Sequence, residues 1–86
     1  MISEKVTVLT ESGLHFRPAS RLSEEALKYD CAVRFKFGDS VGSLKSFLGI
    51  LAAGIKQNTE IEIICEGVDE ETALHNIVKL IKDGLK

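Results

Sequence analysis

The chain has 86 residues, of which 44% are hydrophobic and 28% charged, with a formal net charge of −2. That length allows one small domain over residues 1–86 with a modest core, and the charge balance argues against a general nucleic-acid binder. No apolar run approaches the ~20 residues that span a bilayer, and Met1-Ile2-Ser3-Glu4-Lys5 lacks the build of a signal peptide, so no membrane insertion and a cytoplasmic location are expected.

The first strand is expected at Lys5-Val6-Thr7-Val8-Leu9, leading to a turn at Ser12-Gly13. From Arg17 to about Lys28, Ala19, Leu22, Ala26 and Leu27 recur at helical spacing, leaving Arg21, Glu24 and Glu25 for solvent. Val33, Phe35 and Phe37 alternate with Arg34 and Lys36 as in a strand with one buried face. Gly38-Asp39 then turns the chain into a short hairpin strand around Ser40 to Ser43.

Ser46 is a good N-cap for a short helix that Gly54 closes. Asn58 marks a turn before a strand from Glu60 to Gly67, with Ile61, Ile63 and Cys65 on one face. Asp69 should cap the last helix, with Glu70 and Glu71 in its first turn and Lys79, Lys82 and Lys86 toward its end. Its apolar stripe is Ala73, Leu74, Ile77, Val78, Ile81 and Leu85. Such half-apolar strands imply a sheet covered by helices on one face only, an open-faced sandwich.

The chemistry concentrates in Ser12-Gly13-Leu14-His15-Phe16-Arg17-Pro18-Ala19. Gly13 permits a tight turn and Pro18 suits the first turn of a helix, so His15 falls at or just outside a helix N-terminus. Backbone N–H groups and the positive end of the helix dipole favour an anion there, and Arg17 adds a permanently charged fork of donors. Imidazole is largely neutral and nucleophilic at cytoplasmic pH. The site suits a phosphoryl group, with positioning and charge stabilisation supplied without a metal. His75 sits alone on the last helix and is assigned no role. Cys31 and Cys65 lack metal-ligand spacing and read as buried, reduced thiols, and neither a cofactor nor a metal is expected.

Three stretches, Gly13-Leu14-His15-x-Arg17-Pro18-Ala19, Lys45-Ser46-x-x-Gly49 with Gly54, and Asp69-Glu70 after the strand ending at Gly67, resemble the HPr phosphocarrier family of the bacterial phosphoenolpyruvate-dependent sugar phosphotransferase system. The resemblance spans nearly the whole chain. It implies an α+β fold, β-α-β-β-α-β-α, with a four-stranded antiparallel sheet. It also implies that His15 takes phosphate from enzyme I and passes it to enzyme IIA domains, making the protein a carrier and not a complete enzyme. Ser46 corresponds to a serine that, in many Gram-positive members, a dedicated kinase phosphorylates, slowing transfer and permitting docking to a catabolite-control transcription factor. On local sequence alone Ser46 is an N-cap.

Phe16, Phe47, Leu48 and Leu51 flank both sites and are expected, with Gly49, to form a partner-docking surface, although Phe47 and Leu51 could equally belong to the core. Ser20 and Arg21, with Arg17, would form its polar rim and steer acidic partners. The chain departs from the family pattern at Phe16, where a small residue is usual, at Ser43, where asparagine is common, and at Gln57-Asn58, which replaces a glycine-containing turn. A regulatory paralogue working through phospho-Ser46 is therefore the alternative reading, and a ligand-binding module without phosphoryl chemistry a remoter one. A monomer is expected.

Overall fold

The computed structural model describes residues 1–85. Strand β1 (Ile2–Thr7) leads to helix α1 (Phe16–Ala26). The hairpin β2 (Ala32–Phe37) and β3 (Ser40–Ser43), helix α2 (Phe47–Ala53), strand β4 (Glu60–Glu66) and helix α3 (Glu70–Lys82) follow. The four strands form one antiparallel sheet in the order β1-β4-β2-β3, the α+β open-faced architecture that the family resemblance implied. Among the described residues no helix is long and apolar enough to cross a membrane.

Alternation sorts the two faces of the sheet. Val6, Val33, Phe35, Ile61, Ile63 and Cys65 are buried beneath the helices, where they meet Leu22, Ile50, Ile77 and Ile81. On the other face the register sets Lys5 opposite Glu62 and Glu62 opposite Lys36, a cross-strand ladder of alternating charge that needs no cover. Each fully buried large aliphatic side chain contributes about 1.5–3 kcal/mol relative to an exposed one.

Several element ends differ from the sequence expectation. Strand β1 starts at Ile2 and ends at Thr7, because the turn at Asn58, whose φ is 68°, ends the pairing partner. Val8 stays fully buried beyond the strand, donating its N–H to the Thr59 carbonyl and accepting from the Asn58 N–H, while Leu9 is exposed. Helix α1 ends at Ala26, and Leu27, expected on the apolar stripe, caps it in solvent.

Glu25, expected in solvent, is buried. Burial raises its carboxyl pKa, but hydrogen bonds from Tyr29 and Lys28, the Lys28 charge and a bond from Arg21 outweigh that cost and hold it below the ordinary value. Asp69 occupies the cap position of α3 without capping it through its side chain. Its carboxylate instead accepts the Asp30 and Cys31 N–H groups at 2.9 Å, pinning the turn before β2 to the start of α3. Leu85 reaches the core from beyond the end of α3, and Lys86 lies outside the described residues.

Cys31 and Cys65 are buried free thiols. Burial, reinforced by the neighbouring Asp69 carboxylate, pushes the Cys31 thiol up to about 12, which makes it a packing group and a poor nucleophile.

Candidate functional site

The loop into α1 is tightly constrained at two residues. Ser12 and Gly13 both take left-handed φ values, 68° and 70°. A Cβ on Gly13 would stand 2.3 Å from the Ile55 carbonyl oxygen and 2.7 Å from the Lys56 Cα. That approach lets the Leu14 N–H donate to the same Ile55 carbonyl at 2.9 Å, while Leu14 itself is buried. The segment before His15 is thus locked onto the loop that leaves α2.

His15 is the N-cap residue of α1, with extended backbone at φ −79° and ψ −165°, and its carbonyl accepts the Ala19 N–H at 2.9 Å. Its imidazole makes no capping hydrogen bond and is exposed. The first N–H groups of a helix have no intrahelical acceptor, and Pro18 at the third position removes one of them. The amides of Phe16 and Arg17 therefore complete the anion-favouring end of α1, beside the exposed Arg17 side chain.

Ser46 caps α2 in the opposite manner. Its hydroxyl accepts the Gly49 N–H at 3.0 Å and its carbonyl accepts the Ile50 N–H at 3.0 Å. A Cβ on Gly49 would lie 3.1 Å from the Ser46 Oγ, so glycine leaves that oxygen room. Gly54 ends α2 in the left-handed conformation. The Ser46 side chain is exposed, whereas its neighbour Lys45 reaches inward to the Tyr29 carbonyl at 2.7 Å.

The two helix starts meet directly. Phe16, the first residue of α1, and Phe47, the first of α2, pack edge to face with ring centroids 5.1 Å apart at 83°. Phe16 and Leu48 stand 70% and 74% exposed, whereas Phe47 and Leu51 are half-buried against the core. Ser20 and Arg21 line a groove with Phe16, Arg17 and Glu24. Yet Arg21 is committed to Glu25 at 3.3 Å, which makes the rim less basic than composition implies.

Sequence reasoning missed the Glu25 hub, which also reaches α3 through the Asn76 amide donating to the Tyr29 hydroxyl at 2.8 Å. The available signal was spacing: Arg21, Lys28 and Tyr29 stand four, three and four residues from Glu25, within one turn. The left-handed Ser12 had no comparable signal.

With this geometry in hand, similarity to known proteins is informative. The sequence model for the "PTS HPr component phosphorylation site" matches residues 2–83. HPr from Thermoanaerobacter tengcongensis superposes with a TM-score of 0.94 at 28% identity, over 98% of this chain and 94% of that one. The histidine-containing phosphocarrier protein of Mycoplasma gives 0.90 at 33% identity, over 98% and 97%. Crh, the Bacillus subtilis catabolite repression protein, described as a domain-swapped dimer, gives 0.78 at 27% identity, over 98% and 97%.

Proposed function

The chain belongs to the HPr family of phosphotransferase-system phosphocarriers, and on that premise we propose that His15 accepts a phosphoryl group from enzyme I and hands it to an enzyme IIA domain. Family and fold support a carrier and not a self-contained catalyst. The observation that carries the reading is the uncommitted, exposed His15 imidazole at the anion-favouring end of α1.

In this reading a lone pair on one imidazole nitrogen forms the N–P bond as the bond from phosphorus to enzyme I breaks. The same bond later breaks in favour of enzyme IIA. Arg17 and the amides of Phe16 and Arg17 hold the phosphoryl oxygens, positioning and neutralising charge in a transfer that asks little else of the protein.

Ser46 is assigned the regulatory phosphorylation. Its exposure and the matching Lys45-Ser46-x-x-Gly49 motif support that role, with a dedicated kinase and a catabolite-control transcription factor as partners. A phosphate there would stand beside the Phe47 and Leu48 surface and raise the cost of burying it against an acidic partner.

The second reading, a regulatory paralogue acting mainly through phospho-Ser46, is favoured by the similarity to Crh and by the bulky Phe16. The uncommitted His15 weighs against it. The working unit is proposed as a cytoplasmic monomer. Because Crh is described as a swapped dimer, light scattering on the purified chain tests this directly, with a mass near 9.4 kDa expected.

Incubation with phosphoenolpyruvate, magnesium and enzyme I should add one acid-labile phosphoryl group, read by intact mass and mapped to His15. No transfer, alongside ATP-dependent acid-stable modification of Ser46, would replace the carrier reading with the regulatory one.

A further inference from the structure

The loop from α2 to β4 runs beside the turn that carries His15. Gly54 opens it in the left-handed conformation, and Asn58 ends it at φ 68° with its N–H donating to the Val8 carbonyl at 2.7 Å. Between them the Ile55 carbonyl takes the Leu14 N–H, the Lys56 carbonyl takes the Thr59 N–H at 3.3 Å, and the Gln57 side-chain amide donates to the Leu9 carbonyl at 3.3 Å. Lys56 therefore stands on backbone that is tied down on both sides.

Gly13 has no side chain to hold the two segments apart. A Cβ there would lie 2.7 Å from the Lys56 Cα, which places the Lys56 and Gly13 Cα atoms within about 4 Å of each other. Two peptide units separate Gly13 from His15, so the Lys56 and His15 Cα atoms are at most about 12 Å apart. A lysine ammonium reaches roughly 6 Å from its Cα, and a phosphoryl group on an imidazole nitrogen reaches about as far from the histidine Cα, so together they span that gap.

Lys56 is exposed and has no ion-pair partner among the described residues, not even Glu11, the exposed carboxylate of the adjoining turn. Arg17 is free in the same sense. Arg21 and Lys28 are spent on Glu25, and Lys45 on the Tyr29 carbonyl. Arg17 and Lys56 are thus the unspent cations on the segments next to His15, one on the helix and one on the loop.

We propose that Lys56 is a phosphoryl-binding residue: once His15 carries phosphate, the Lys56 ammonium closes on the phosphoryl oxygens from the α2–β4 loop while Arg17 and the α1 amides hold them from the helix. The inference rests on the carrier reading of His15 and extends it to a residue outside α1. A phosphoryl dianion carries more charge than one guanidinium neutralises, and an ammonium on a flexible stem answers it as a mobile point charge. That charge acts only when the phosphate is present, so it favours the phosphorylated carrier over the free one.

The test is a phosphorus NMR titration of the chain charged from phosphoenolpyruvate through enzyme I, for the wild-type chain, Lys56→Gln and Lys56→Arg, with transfer rates and thermal midpoints measured on the same proteins. Lys56→Gln should raise the pH midpoint of the phosphoryl titration by about 0.5 and lower kcat/KM for transfer from enzyme I about five-fold, with the thermal midpoint unchanged. Lys56→Arg, which keeps the charge, should stay within about two-fold of the wild type, and the rise in Lys56→Gln should shrink at high salt. An unchanged phosphoryl titration in Lys56→Gln overturns the proposal whatever happens to the rate, because a lysine that only steers enzyme I or answers the C-terminal end of α2 leaves the phosphate's own titration alone. A wild-type chain that enzyme I does not phosphorylate removes the carrier reading and this inference with it.

Discussion

Two helix starts lie side by side in this molecule and use their cap residues in opposite ways. Ser46 spends its hydroxyl on the Gly49 amide, whereas His15 contributes only backbone to α1 and leaves its ring free. On the proposed reading, the difference separates a group whose first task is to hold a helix from one left free for chemistry. Asp69 is a third case, occupying a cap position while its carboxylate anchors the turn before β2.

The comparison is broken most severely by His15→Ala. Transfer from enzyme I should vanish while urea denaturation shifts by less than about 0.5 kcal/mol, because the ring is exposed and bonded to nothing that holds the fold. Unfolding of that variant would make the histidine structural. Arg17→Ala should slow transfer on the order of 100-fold with the thermal midpoint unchanged, and normal rates would remove the guanidinium from the mechanism.

Gly13→Ala tests the backbone beneath His15. A Cβ at 2.3 Å from the Ile55 carbonyl, added at positive φ, should cost about 2 kcal/mol or more by denaturant titration, and transfer should weaken as the His15 loop shifts. Ser46→Ala sharpens the contrast from the other side. Loss of the cap should cost about 1 kcal/mol while His15 is still phosphorylated.

The smallest effect is in pH. Glu25 and Asp69 have folded-state pKa values below their ordinary 4.5 and 3.8, so the stability they contribute is complete above about pH 4.5 and is lost as pH falls through the depressed values. Thermal midpoints should be flat between about pH 5 and 7 and drop on further acidification. In Glu25→Gln part of that drop should disappear.

The elements were legible wherever periodicity was uninterrupted. Ser40–Ser43, the capped helix between Ser46 and Gly54, and the Ile61, Ile63, Cys65 face all lie where spacing and turn residues put them. Strand and helix ends were less so, because Val8 and Leu27 carry the right hydrophobicity past the point where the partner strand or the helix has ended. Candidate site residues, and the expectation that Phe16 and Phe47 share one surface, could be written from the chain, but their direct contact could not. Nothing in the spacing of Phe16 and Phe47 states that their rings touch, since that contact depends on how the sheet brings α1 and α2 together. The fate of Glu25 and Arg21 was hidden for the same reason, as a carboxylate on a helix reads as solvated until its three local partners and α3 close over it.

The most direct test of the central claim, that the uncommitted cap is the reacting group, is phosphorus NMR of the chain charged from phosphoenolpyruvate through enzyme I. The account predicts a single phosphohistidine resonance, absent in His15→Ala, retained in Ser46→Ala, and discharged on addition of an enzyme IIA domain. A phosphoserine signal alone, or a phosphohistidine that persists in His15→Ala, would contradict it.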